Sequence, residues 1–422
     1  MYLPLRNLRH RPLRTGLSVL LFALGVGLVA LLFLVERQVS EQFERNLAEV
    51  DLVLGAKGSP LQLVLSSMYH IDAPTGNIPL RNAKPFLNPK HPLISEALPL
   101  SVGDSYRGYR IVGTLPRALR WYDVTIADGR IWEREMEVVV GAQVARALGL
   151  ELGSSFLSSH GLIEDEDLIH EDALPFVVVG IMKASGTVLD QLILTATQSV
   201  WAVHNHDEHD HHDDHDHHEH HDHSAADTLA TLLDLDPEGK EITALLMRFR
   251  NRNIQTLNLQ RNLNENTNLQ AASPAIEITR LFYLFDTGER ALRALALVII
   301  IVSGLSIFIA LYASLRERRY ELALLRSFGA SPGRLFSFIL AEGILLALVG
   351  YALGILLCHV GMWLLGDALA SAFKYQLNPL RFVAAEGWLL LASISVGATA
   401  AALPAWQAAR TDVAEQLLGG SR

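Results

Sequence analysis

The stretch RERRYELALLRSFGASPGRLFSFILAEG, residues 316–343, decides how this chain is read. It is basic and amphipathic and lies between two long apolar runs. Residues 294–315 carry no charge, and residues 343–366 carry none apart from His359. A helix crosses a bilayer with about 20 apolar residues, so both runs read as membrane spans. Arg316, Arg318, Arg319, Arg326 and Arg334 lie between them, and by the positive-inside rule this connection faces the cytoplasm. A short helical element held between two spans on that side is well placed to be moved by a cytoplasmic partner.

Further out, residues 16–35 form a first uncharged run, preceded by Arg6, Arg9, Arg11 and Arg14. The run is too long for the core of a signal peptide, no small-residue cleavage site follows it, and the charged helical pattern ERQVSEQFERNLAEV (36–50) continues it. An uncleaved span with its N-terminus inside is expected. A fourth apolar run ends through Pro404 at Arg410. The expected order is a cytoplasmic N-terminus (1–15), helix 1 (16–35), an outer domain (36–290), helix 2 (291–315), a cytoplasmic coupling loop (316–335), helix 3 (336–366), a short outer loop (367–386), helix 4 (387–409) and a cytoplasmic C-terminus (410–422). Gly25, Gly27, Gly350 and Gly354 suggest close helix contacts, the last two matching the small-xxx-small pattern. The alternative is that glycine is simply common in membrane helices. Glu342 reads as interfacial and solvated, with a buried interhelical contact as the sharper alternative.

Composition fits a few spans joined to a sizeable water-exposed part. Half of the 422 residues are hydrophobic and the mean hydropathy is +0.24. The formal charge of −10 is concentrated in residues 204–223, so the rest is nearly neutral and offers no basic face to nucleic acid. The single cysteine, Cys358, sits in an apolar run and excludes an intramolecular disulfide. Between the first two spans, β-branched runs at 109–113, 138–141, 176–181, 192–194 and 245–249 read as strands. Residues 142–148 read as a helix ending at Gly149, another begins at Thr197, a third lies in 251–268, and 279–289 leads helically into span two. The fold class is an α-helical membrane protein with four transmembrane helices plus a large extracytoplasmic α+β domain inserted between helices 1 and 2.

These features together resemble the MacB/FtsX/LolC permeases, the mechanotransmission type of ABC transporter. Arg316, Glu317, Arg318, Arg319, Glu321, Leu324, Arg326, Gly329 and Ala330 fall on the family's coupling-helix signature, an arginine- and glutamate-rich turn followed by I/L-x-x-L-R-x-x-G-A. Pro404, Ala405, Ala408 and Arg410 fall on its closing P-A-x-x-A-A-R. GAQVARALGL (141–150), FVVVGI (176–181) and TVLD (187–190) follow in the family's order. The resemblance implies a homodimer in the bacterial inner membrane, each subunit bound by a cytoplasmic ABC ATPase. ATP on that partner subunit would move the coupling helix and reshape the periplasmic domain, where cargo or a periplasmic partner is handled. The chain has no G-x-x-x-x-G-K-[ST], so it is not expected to be an enzyme or to hold a catalytic cofactor of its own. Residues 51–80, an apolar stretch with Gly55, Gly58, Pro60 and Pro79, depart from the family average.

The second departure is HNHDEHDHHDDHDHHEHHDH, residues 204–223. His204, His206, His209, His211, His212, His215, His217, His218, His220, His221 and His223 stand there beside eight carboxylates. No core can be built from such a run, so it reads as a solvated loop. Neutral imidazoles suit Zn2+, and also Ni2+ or Cu2+, and release metal on protonation below pH about 6. The run lacks H-E-x-x-H, which argues against a catalytic zinc site. Metal capture or sensing, and an acidic spacer that binds metal incidentally, both stay open. His70 and Asp72, and a second acidic patch from His160 to Asp172, read as solvated surface, although that patch could receive metal from the tract.

Three functions compete: a permease coupled to an ATPase, an FtsX-like scaffold that activates a periplasmic partner, and a component of metal uptake. A metal channel through the spans is the least favoured version. In span three only Glu342 and His359 ionise, and they are 17 residues apart, about 25 Å along a helix.

Overall fold

The computed structural model describes residues 12–160, 174–207, 229–373 and 378–410. The chain divides into two compact units, Glu41–Leu284 and the segments that flank it. In chain order the longer helices are α1 (Pro12–Asn46), α2 (Pro60–Met68), α3 (Leu80–Leu87), α4 (Ala142–Leu148), α5 (Thr197–Asp207), α6 (Ile254–Asn266), α7 (Pro274–Glu317), α8 (Arg319–Ser327), α9 (Pro332–Phe373) and α10 (Ala384–Ala409).

The inserted unit is built on one mixed sheet. Its strands are β1 (Leu52–Ala56), β2 (Ile78–Pro79), β3 (Ile94–Tyr106), β4 (Tyr109–Thr114), β5 (Ile126–Gly129), β6 (Glu137–Val140), β7 (Ser155–Phe156), β8 (Ser159–His160), β9 (Phe176–Met182), β10 (Ile193–Ala196), β11 (Glu241–Ile242), β12 (Ala244–Phe249) and β13 (Leu269–Ala272). The main order is β13-β1-β12-β3-β4-β10-β6-β9-β5, with β7 on β9, β8 on β3, and β11 paired with β2 apart. The long β3 joins two lobes. Ile94–Leu100 pairs antiparallel with β12, and Ser101–Tyr106 turns back on β4. In the second lobe β10 runs parallel to β4, and β6 parallel to β9.

Burial of both sheet faces explains why these strands are apolar without alternation. Val53, Leu246, Val139 and Leu194 point into one core, which α2 covers with Leu63, Val64 and Met68. Their neighbours Leu52, Leu54, Leu245 and Met247 point the other way, under α3 and α6. Val138, Val140 and Ile193 do the same in the second lobe, under Val144 and Ala145 of α4 and Val203 of α5. Local signals fix the helix ends. Ser59 caps α2 ahead of Pro60, the Asn253–Thr256 capping box starts α6, and Gly149 ends α4 at φ 64°.

A polar clamp holds the start of β6. Arg130 donates to both carboxylate oxygens of Glu137 at 2.6 and 2.7 Å, and the Glu133 N–H adds a bond of 2.8 Å. Together these hold Glu137 down at about 2, the Arg130 bonds being the largest cause. A depressed carboxylate stabilises the fold above its unfolded value near 4.5 and loses that contribution as pH falls towards 2. Arg130 is 44% exposed, so solvent screening leaves a contribution of about 1 kcal/mol or less. Glu137→Gln is therefore expected to lower thermal stability at pH 7, with the gap to wild type closing as pH is lowered through 4.5. An equal gap at every pH would contradict the clamp.

In the flanking unit, α1, α7, α9 and α10 are long and apolar enough to cross a membrane. The 44 residues of α7 reach about 66 Å, twice a hydrocarbon core, so it continues well past the apolar run. Small residues set the spacing of the bundle. A Cβ on Gly27 would lie 2.9 Å from the Gly354 carbonyl oxygen, and one on Gly354 2.7 Å from that of Ala23. Gly350 takes the Phe22 ring, and Gly25 faces Ile299. Gly343 and Gly397 bring α9 and α10 together in the same way, a pair the sequence reading passed over. Ser18 Oγ and Ser306 Oγ lie 2.9 Å apart.

Candidate functional site

The basic segment folds as its spacing suggests. Helix α7 breaks at Arg318, whose N–H still reaches the Ser314 and Leu315 carbonyls, and α8 restarts at Arg319. It stops at Gly329, where φ is 94°, and the Gly329 N–H caps Arg326. Only glycine adopts that conformation without strain. Two residues later Ser331 accepts the Arg334 N–H, and Pro332 opens α9 where its missing N–H is harmless. The order arginine, glycine, serine, proline is thus one stop signal followed by one start signal.

One face of α8 is packed. Leu322 lies in a core with Leu315 of α7, Leu335 and Ile339 of α9, and Ala405 and Ala408 of α10. Ala323 is also fully buried. The closing motif is therefore the bed of the basic helix. Pro404, Ala405 and Ala408 are buried and small enough for Leu322 to approach, while Arg410 stacks its guanidinium 4.0 Å over the exposed Trp406.

The opposite face is open. Glu321, Leu325 and Phe328 are exposed, Phe328 at 85%, and they follow the i, i+4, i+7 spacing of one helical stripe. Arg316, Glu317 and Gly329 are exposed as well. Leu324, Arg326, Arg318 and Ala330 are half-buried. Sequence reasoning chose Leu324 and missed Leu325 and Phe328. The signal was present, because an apolar residue four or seven positions after Glu321 belongs on its face.

Two ionisable residues differ from expectation. Glu342 is buried at 5% exposure, because α9 begins at Pro332 and carries it into the bundle within the field of Arg318. Glu386, placed in a loop by the sequence reading, is buried at the start of α10. Its carboxylate lies 3.7 Å from Nε2 of His359, whose Nδ1 donates to the Pro379 carbonyl at 2.6 Å. The Tyr351 hydroxyl bonds the Glu386 carbonyl oxygen at 3.1 Å.

Among the metal candidates, His204 and His206 fall in the last turns of α5. His209, His211, His212, His215, His217, His218, His220, His221 and His223 lie outside the described residues, as does nearly all of the 160–172 patch. Among the described residues no group of three or more His, Cys, Asp or Glu side chains could hold a metal ion. His70 is not the solvated surface group expected. It takes a left-handed φ of 52° and its Nδ1 is enclosed without a partner. Burial first, and then the Arg110 guanidinium, push it down to about 3, so the ring is neutral at physiological pH. Asp72 is exposed and caps the Ala73 N–H at 2.7 Å.

The MacB-like periplasmic core domain family matches residues 15–220, and the FtsX-like permease C-terminal family matches residues 293–413. The chain belongs to the MacB/FtsX permeases. The second match contains the whole of α8 and its bed, and the first begins in α1 and covers much of the sheet. Four apolar helices with a MacB-like domain after the first make this permease a membrane protein with a periplasmic domain. No curated protein matches the permease. Two solved structures similar to it are isolated domains of other proteins. The periplasmic region of MacB from Actinobacillus actinomycetemcomitans is 10% identical over 56% of this chain and 95% of that one, at a TM-score of 0.32. The extracellular domain of the noncanonic ABC-type transporter YknZ from Gram-positive bacteria is 10% identical over 53% and 99%, at a TM-score of 0.29.

Proposed function

We propose that this permease is driven by a separate ATPase subunit docked on the open face of α8. The observation that carries this is the exposed pair Leu325 and Phe328 beside Glu321, on a helix whose other face is fixed to the closing motif. Large apolar side chains at the turn between two spans have no lipid tails to cover them and form a natural anchor for a protein groove. The arginines of the same turn favour the cytoplasmic side. In this reading both termini are cytoplasmic, the membrane is the bacterial inner membrane, and the permease acts as a homodimer. ATP binding and hydrolysis on the partner pull on α8, and the spans carry the movement to the periplasmic domain, which handles an exported or extracted cargo. The test is whether an acidic side chain at position 328 releases the ATPase subunit while the permease stays folded.

Metal linkage is a refinement that rests on the eleven histidines of residues 204–223. Titration of the full-length permease with zinc at pH 7.5 should show several equivalents bound. These should disappear when 204–223 is deleted, and also below pH about 6 as the imidazoles protonate. Equal zinc stoichiometry with and without the tract would remove metal from the account.

A further inference from the structure

Helix α1 does not stop where its apolar run ends, but continues to Asn46. Its last two turns are tied by side chains to the loop that precedes β10. Gln42 Nε2 donates to the Gly186 carbonyl at 2.8 Å, and the Val188 N–H donates to Asn46 Oδ1 at 2.8 Å. Asn46 is fully buried, and its Nδ2 donates back to the Gln42 carbonyl at 3.0 Å, which orients the amide. The loop is stiff in its own right. The Asp190 carboxylate accepts the Ser185 and Gly186 N–H groups at 3.0 and 2.7 Å and the Ser185 hydroxyl at 2.9 Å. A Cβ on Gly141 would lie 2.3 Å from the Asp190 carbonyl oxygen, so the loop sits directly on the end of β6. It leads straight into β10, which lies between β4 and β6 in the middle of the sheet. By contrast, the covalent path from α1 to β1 passes through Ala48 and Glu49, both left-handed at φ 46° and 57°, which is a sharp turn.

We propose that Asn46, seconded by Gln42, is a positioning residue that delivers displacement of α1 to β10 through the Ser185–Gln191 loop. This rests on the coupling reading above. A pull along α1 meets a turn at Ala48–Glu49 on the covalent route, whereas the buried amide bonds a rigid loop that abuts two central strands. A buried N–H that loses its acceptor is left unpaired, so the Asn46–Val188 bond is the part of the joint most sensitive to substitution.

The test is amide exchange in the full permease with its ATPase subunit in nanodiscs, in ADP and in a non-hydrolysable ATP analogue. Wild type should show a nucleotide-dependent difference at α8 and also at residues 185–196. In Asn46→Ala the basal exchange at Val188 should rise roughly tenfold, the response at α8 should persist, and the response at 185–196 should vanish. Asn46→Asp keeps the acceptor oxygen but loses the Nδ2 donor to the Gln42 carbonyl, and should restore it only in part. Gln42→Ala, at a half-buried position, should reduce it, and carries the test if Asn46→Ala does not fold. A nucleotide response at 185–196 that survives both alanine variants would overturn the joint and leave the bond merely structural. Absence of any response at α8 in wild type would overturn the coupling reading, and the joint with it.

Discussion

Phe328→Asp is expected to abolish association with the ATPase subunit without disturbing the permease itself. Phe328 is 85% exposed, so its side chain contributes almost nothing to the packing of its own chain. An exposed substitution of this kind normally changes stability by about 0.5 kcal/mol or less. A central aromatic anchor in an interface commonly carries about 2 kcal/mol or more, which is roughly a thirtyfold change in affinity. A carboxylate buried in the partner's groove adds a desolvation cost to that loss. Co-purification should therefore fail, and permease-stimulated ATP hydrolysis should fall to that of the ATPase alone. Leu322→Asp is the contrasting case. Leu322 lies on the packed face with Ala405 and Ala408, so the permease should lose stability before any question of docking arises. If Phe328→Asp retained full association, the open face of α8 would not be the docking surface.

The second large effect is expected at the contact between the first and third spans. Gly354→Leu would place its Cβ 2.7 Å from the Ala23 carbonyl oxygen, 3.0 Å from Val26 Cβ and 3.1 Å from the Gly27 nitrogen. Two of these atoms belong to the α1 backbone and cannot move aside as a side-chain tip can. Overpacking of this kind costs about 1–3 kcal/mol or more, and here it separates two helices along their line of closest approach. Gly361→Leu, two turns further along α9, provides the control, because nothing lies within 4 Å of its Cβ position. The first variant should lower the melting temperature of the detergent-solubilised permease by several degrees and the second should leave it unchanged. Equal melting temperatures would mean that the small-residue seam does not hold the bundle.

The spans were legible because length and unbroken apolarity suffice to define them. The strands at Tyr109, Glu137, Phe176 and Ala244 were legible as β-branched and aliphatic runs, since both faces of the sheet are buried. The thirteen-residue β3 was not, because ISEALPLSVGDSY is interrupted by Pro99 and Gly103 and carries three serines. Its length comes from pairing with β12 along one half and β4 along the other, which is a property of the assembled sheet. Glu386 was missed for a related reason. A carboxylate next to a span reads as interfacial until a second helix brings a group such as His359 against it.

For α8 the motif was visible in the sequence but its working face was not. Arg326 and Gly329 mark where the helix ends, and spacing alone groups Leu325 and Phe328 with Glu321 on one face, but RERRYELALLRSFGAS does not say which face the bundle covers. Packing of Leu322 on Ala405 and Ala408, some eighty residues away in the chain, is what leaves Leu325 and Phe328 uncovered. Asn46 and Val188 are similarly distant, and an asparagine at the end of a long helix carries no local sign that its partner is a loop amide. The histidine tract is the opposite case. Its chemistry is plain in the sequence, while its residues from position 208 onward lie outside the described structure.

The most direct test of the coupling claim is a photo-crosslinking amino acid at position 328, activated in native membranes, with the product identified by mass spectrometry. The expected product is a crosslink to a soluble chain carrying a G-x-x-x-x-G-K-[ST] nucleotide-binding motif, lost when that chain is depleted. Crosslinks confined to lipid, to a second copy of the permease or to a periplasmic protein would contradict the coupling claim.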